Sequence, residues 1–209
     1  MTVRTLVDYP PCGSIGFHTP RDVIGDAIVA AEAAIARQWG GTTPPRPTPY
    51  SHTTLALGDS GLVGESTEPY TRLVTGHASV PLPQLAERLP VEASDYFTRQ
   101  DTVWLAPQGG YELGAAAVDI MRSIAYLLTD RVQYGTADIV TSFLGRDFGR
   151  SHYLWCTYYC AELWLSASRG RVDLSGSMRP WTVDVTTLWA ATFGDPDHWR
   201  VWTPRYGAA

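Results

Sequence analysis

Lysine is absent. All 16 basic side chains are arginine, set against 21 acidic ones, and the formal net charge is −5. That balance argues against nonspecific nucleic-acid binding, which depends on a basic patch. Arginine codons are mostly GC-rich and lysine codons AT-rich, so the preference points to a high-GC genome, such as that of an actinobacterium or one of its phages. Long hydrophobic runs are missing too. None approaches the ~20 residues of a membrane span, so no membrane-spanning segment is expected. The opening stretch Met1 to Pro11 has no apolar centre of the signal-peptide kind. Cysteine is scarce, and three is an odd number, which excludes a disulfide framework and suits a reducing compartment or carriage inside a particle.

What is present describes a folded chain. Hydrophobic content of 44% with only 18% charged residues is globular, not disordered. At 209 residues a single domain over 1–209 can build its core without staples. Val3 to Val7 and Gly13-Ser-Ile-Gly-Phe17 read as short extended pieces. Thr19-Pro20 then opens a helix with Asp22 in its first turn. Ile24, Ala27, Ile28, Ala31, Ile35 and Trp39 keep helical spacing until Gly40-Gly41. A proline-rich connector, Thr42 to Pro49, follows. Thr75 to Tyr96 is expected to be loop-rich, with a short helix at Pro83 to Leu89. Thr102 to Ala106 reads as a strand. Leu113, Ala117, Ile120, Met121, Ile124, Leu127 and Leu128 form one apolar helical stripe ending at Tyr134-Gly135. Ala137 to Leu144 suggests another helical turn or two, Val183 to Phe193 a strand or helix, and Trp199 to Trp202 a late strand.

Tyr50 to Leu57 and Leu62 to Thr67 form a β-hairpin around Gly58-Asp-Ser-Gly61. If Gly58 faces Gly61, positions summing to 119 lie opposite each other. His52 then faces Thr67, Glu65 faces Thr54, and His52 and Glu65 emerge on one face as diagonal neighbours roughly 7–8 Å apart at the backbone. A glutamate can reach an imidazole nitrogen across that gap.

The stretch His152 to Ala167 carries two cysteines four apart. Leu163, Trp164 and Ala167 continue at helical spacing to a stop at Gly170, which predicts Cys160 in the first turn of a helix. There the dipole favours thiolate. A buried free cysteine is more often a small hydrophobe than a nucleophile. A metal role for Cys156 and Cys160 lacks the further ligands of a tetrahedral set. What raises Cys160 above the ordinary reading is the His52–Glu65 strand pair, a base with its orienting group. His152 is the competing base. His18 suits a loop or cap, and His77 and His198 suit structural or solvated positions.

A Gly-x-Ile-x-Phe element, a helix, Ser51-His-Thr-Thr-Leu-Ala-Leu57, Glu65 on the next strand and Tyr159-Cys-Ala-Glu-Leu163 stand in that order. The order resembles the circularly permuted papain-like cysteine hydrolases, the permuted branch of the NlpC superfamily that includes YiiX-like and lecithin-retinol-acyltransferase-like proteins. The likeness runs from Gly13 to about Ala167, with Ser14 where that family usually has Asp and Ala161 where it has Ser. It implies an α+β, permuted papain-like fold: a small antiparallel sheet or half-barrel packed against helices, with the nucleophile at a helix N-terminus. It further implies Cys160 as nucleophile, His52 as base and Glu65 as orienter, with the Cys160 N–H as oxyanion donor, Glu162 structural, and neither cofactor nor metal. The expected substrate is a peptide or acyl compound, with cell-wall stem peptide favoured by family analogy. A second function stays open: a non-catalytic structural or binding subunit of a phage virion or other larger assembly.

Overall fold

The computed structural model describes residues 8–20, 23–38, 48–58, 61–66, 71–75, 78–79, 102–128, 156–175 and 183–205. Among these the chain is mixed α+β. The strands are β1 (Ile15–His18), β2 (His52–Ala56), β3 (Leu62–Ser66), β4 (Thr71–Thr75), β5 (Ala78–Ser79), β6 (Thr102–Pro107) and β7 (Trp199–Trp202). The helices are α1 (Val23–Gln38), α2 (Ala115–Leu128), α3 (Cys156–Ala167) and α4 (Val185–Phe193). The strands make one sheet in the order β5-β4-β3-β2-β1-β6-β7, every pair antiparallel. No helix among the described residues is long and apolar enough to cross a membrane.

The hairpin has the expected register: Leu55 faces Gly64 and Ala56 faces Val63, both sums being 119. Its turn needs glycine at both ends, since Gly58 has φ 135° and Gly61 φ 72°, a region that other residues rarely adopt. At Gly58 a side chain has no room either. A Cβ there would lie 1.7 Å from a guanidinium nitrogen of Arg122, whose Nε donates to the Leu57 carbonyl at 2.5 Å.

The two faces of the sheet divide by strand parity. Ile15, Phe17, Leu55, Leu57, Leu62 and Leu105 join Met121, Tyr159, Cys160, Leu163 and Trp164 in the main core. Ala56, Val63, Trp104, Ala106 and Trp202 form a smaller cluster. Helix α3 is the core's centre. It packs on β2, β3 and α2, and eight of its twelve residues are buried. Trp164 Nε1 ties it to the Gly13 carbonyl at 2.9 Å. A Schellman ending closes it, with Arg169 at φ 55°, Gly170 N donating to Leu165 O at 2.8 Å and Arg169 N to Ser166 O at 3.1 Å.

Several expectations change in detail. β4 and β5 extend the sheet where the sequence shows no alternation, and β5 falls within the stretch expected to be loop-rich; pairing of β4 with β3 and of β5 with β4, not local pattern, makes them strands. The buried line of α2 is Met121 and Ala125, one turn apart. Leu127 falls off that face and is 60% exposed, and Leu113 precedes the helix. Within the stretch Val183 to Phe193 the chain forms the helix Val185–Phe193, capped by Asp184, which accepts from Thr187 N at 2.6 Å. The pieces expected at Val3 to Val7, Pro83 to Leu89, Tyr134-Gly135 and Ala137 to Leu144 lie outside the described residues, as do His77 and His152.

At Gly64 helix and hairpin approach closely, a Cβ there lying 2.2 Å from the Tyr159 hydroxyl. Gly64→Ala is expected to destabilise the fold by about 1–3 kcal/mol through overpacking. It should lower the urea midpoint at unchanged slope, and Tyr159→Phe in the same chain should restore part of the loss.

Candidate active site

The hairpin register sets the first half of the site. His52 begins β2 and Glu65 lies on β3, and the expected diagonal contact forms: Nε2 of His52 and Oε2 of Glu65 are 3.1 Å apart. Glu65 is 3% exposed, whereas the His52 side chain is 26% exposed. The imidazole is therefore the solvent-facing edge of the pair. The ring of His18, directly opposite on β1, lies 5.6 Å from that of His52. His18 is neither loop nor cap. It is buried at the end of β1, with one ring nitrogen on the Thr54 hydroxyl at 2.8 Å and the other on the Thr102 hydroxyl at 2.9 Å.

The thiol comes from an opening between strands. β2 stays paired with β1 as far as His52, but its pairing with β3 covers only Ala56 and Leu55 among the described residues. Ala56 N donates to Ser14 O, just ahead of β1, and Leu57 N donates to Leu62 O at the start of β3. By alternation the Thr53 N–H points toward β3. Past Leu55 it meets the sulfur of Cys156, which takes hydrogen bonds from both the N–H and the hydroxyl of Thr53. His52 completes the surroundings of that sulfur through a further hydrogen bond. With Nε2 on Glu65, Nδ1 is the ring nitrogen left for the thiol.

This corrects the assignment of the helix start. α3 spans Cys156–Ala167, so Cys160 sits one turn in, and its N–H belongs to the helix ladder and not to an oxyanion site. The Cys160 thiol is fully buried and donates to Thr53 Oγ1 at 3.6 Å. The structure brings His52 and Glu65 together as expected and gives the imidazole Cys156, not Cys160, as its sulfur partner. The misleading signal was Ala161-Glu-Leu after Cys160. The useful one was the four-residue spacing itself, which puts both thiols on one helix face and leaves the helix entry to choose between them.

Electrostatics separates the two sulfurs. Burial raises the Cys156 thiol, but the His52 charge, the hydrogen bond to His52 and the two from Thr53 outweigh it and hold it below an ordinary thiol. Burial alone would lower His52; the charge and hydrogen bond of Cys156, then those of Glu65, raise it to about 10. The two shifts have one cause, the mutual attraction of the Cys156 sulfur and the His52 ring, which favours the thiolate on one and the imidazolium on the other. Cys160 goes the other way. Burial and then the negative charge of Cys156, against the Thr53 hydrogen bond, keep its thiol protonated. Burial likewise raises Tyr159, reinforced by Cys160 and Glu65.

The other candidates are structural. Glu162 accepts from Ser166 at 3.5 Å within α3. His198 pairs with Asp195 at 2.8 Å and stacks on Tyr111 at 4.2 Å between centroids. Ser14 is buried and its hydroxyl donates to the Pro11 carbonyl at 2.7 Å. Among the described residues no three His, Cys, Asp or Glu side chains gather as a metal-binding group. No protein-family model matches this sequence, and no curated protein matches it.

Iodoacetamide should therefore label Cys156 selectively and continue to do so well below the ~8.5 of a free thiol. Sign and cause agree: a thiol depressed by a cation stays ionised as pH falls. His52→Ala removes that cation and leaves burial, so labelling at pH 6 should fall more than tenfold, read by peptide mass mapping. Labelling centred on Cys160, or indifferent to His52, would contradict the pairing.

Proposed function

We propose that this protein is a cysteine hydrolase of the permuted papain-like kind, with Cys156 as nucleophile, His52 as acid–base and Glu65 as the group that orients His52. The observation that carries the reading is the convergence of the three on one opening in the sheet, with the thiol lowered and the imidazole raised. Supporting it, the chain order of a Gly-x-Ile-x-Phe strand, helix, His strand, Glu strand and Cys helix is the order that the resemblance implies.

The chemistry is acyl transfer to water. The Cys156 thiolate attacks an amide or ester carbonyl, and the developing oxyanion meets the backbone N–H of Cys156 in the first turn of α3. Imidazolium His52 gives its proton to the leaving group, which leaves a thioester on Cys156. Neutral His52 then takes a proton from water as that water attacks the thioester, and the acid product departs with the thiolate restored. Glu65 accepts from Nε2 throughout, fixing the tautomer and the ring plane. The favoured substrate class is an amide of a peptide or isopeptide, with cell-wall stem peptide first by analogy with the resembled superfamily.

A panel of wall-derived stem peptides, with released fragments read by mass, tests this. Cys156→Ala should abolish release, and Glu65→Gln should lower kcat by about 10²-fold, in the range of a positioned proton-transfer group. The pH profile should be bell-shaped. Its lower limb follows ionisation of Cys156 below the ordinary thiol range, and its upper limb follows loss of the His52 proton near 10. Retained turnover in Cys156→Ala would overturn the assignment. Absence of turnover together with absence of low-pH labelling would leave a structural subunit of a larger assembly as the better description.

A further inference from the structure

Thr53 stands between two sulfurs, and its hydroxyl has one proton to give. That hydroxyl is a hydrogen-bond partner of Cys156, while the Cys160 thiol donates to the same oxygen at 3.6 Å. Both Thr53 and Cys160 are fully buried, so no water competes for either group. The chain of donors then has one consistent direction: Cys160 S–H to Thr53 oxygen, Thr53 O–H to Cys156 sulfur. Reversing it would aim two acceptors at each other.

We propose that Cys160 is a positioning residue for the nucleophile, turning the Thr53 hydroxyl so that its proton points at the Cys156 sulfur. This rests on the reading of Cys156 as nucleophile and gives a role to the second cysteine of the helix that the mechanism leaves unused. Cys160 undergoes no covalent change; it must only keep its proton to donate. The other titratable groups around Cys156 are His52 from β2, Glu65 from β3 acting through the imidazole, and Tyr159 on its own helix. β1 brings His18, held by Thr54 and Thr102, and α4 brings Asp184, committed to its helix cap. None of these donates to the Thr53 hydroxyl among the described contacts.

The test is a double-mutant cycle on the full chain, reading the pH midpoint of Cys156 alkylation by mass-mapped iodoacetamide labelling. Cys160→Ala should raise the midpoint by about half a unit to one unit, a three- to tenfold loss of thiolate at fixed pH below it. Cys160→Ser, which keeps a donor, should restore the wild-type midpoint. Thr53→Val should raise it at least as far, and adding Cys160→Ala to Thr53→Val should change nothing further, since the two act through one bond. Merely structural damage would instead lower stability without moving the midpoint, or would add in the double variant. An unmoved midpoint in Cys160→Ala, or additive shifts, overturns the proposal while the hydrolase reading stands. A wild-type midpoint at the ordinary thiol value, or label on Cys160 itself, overturns both.

Discussion

Between Leu55 and His52 the two middle strands part company. β2 keeps its ladder with β1 to the end but gives up the one with β3 after Leu55, and the rest of the site depends on that opening. A paired Thr53 N–H would be spent on a carbonyl of β3. Released, it becomes a donor aimed at whatever enters the gap, and what enters is the Cys156 sulfur at the head of α3. A backbone donor costs no side-chain ordering to position, and in a buried setting it favours the anionic form of its acceptor. The Cys156 sulfur is therefore held by the sheet as much as by its own helix.

Helix α3 must approach closely for this to work, and the surrounding sequence is cut to let it. Gly64 leaves a space under the Tyr159 ring, whose hydroxyl occupies the position a Cβ would need. Trp164 hangs the far end of the helix on the Gly13 carbonyl, and the Thr157 hydroxyl donates to Val183 O, joining its first turn to the chain entering α4. Three anchors at three heights fix both tilt and rotation. Rotation matters most, since Cys156 and Cys160 share a face, and the height at which that face meets Thr53 decides which sulfur touches the imidazole. One thiol is then held below the ordinary thiol range and the other above it, by burial and by the charge of the first. Two identical side chains one turn apart acquire opposite chemistry.

Much of this was legible in the chain itself. The hairpin announces its register through Gly58 and Gly61, because the positive φ at those positions favours glycine, and a fixed register with a period of two places His52 beside Glu65. The ends of α3 and α4 are written locally as well, by Gly170 after Arg169 and by the Asp184 cap. These are short-range constraints, each settled within a few residues.

The remainder needed contacts distant in sequence. β4 is a strand because β3 offers it an edge, and β5 because β4 does, and the exposed Leu127 shows that a stripe drawn from apolar residues alone overstates which of them face the core. The order of residues around the cysteines favoured Cys160, because the tripeptide after it carries the resemblance. Only the packing of α3 on β2 and β3 gave the imidazole to Cys156 and turned Cys160 toward Thr53. Sequence by itself determined the pairing of His52 with Glu65, since one hairpin holds both. The choice of sulfur belonged to the tertiary structure, because thiol and imidazole lie about a hundred residues apart and meet only where two strands open.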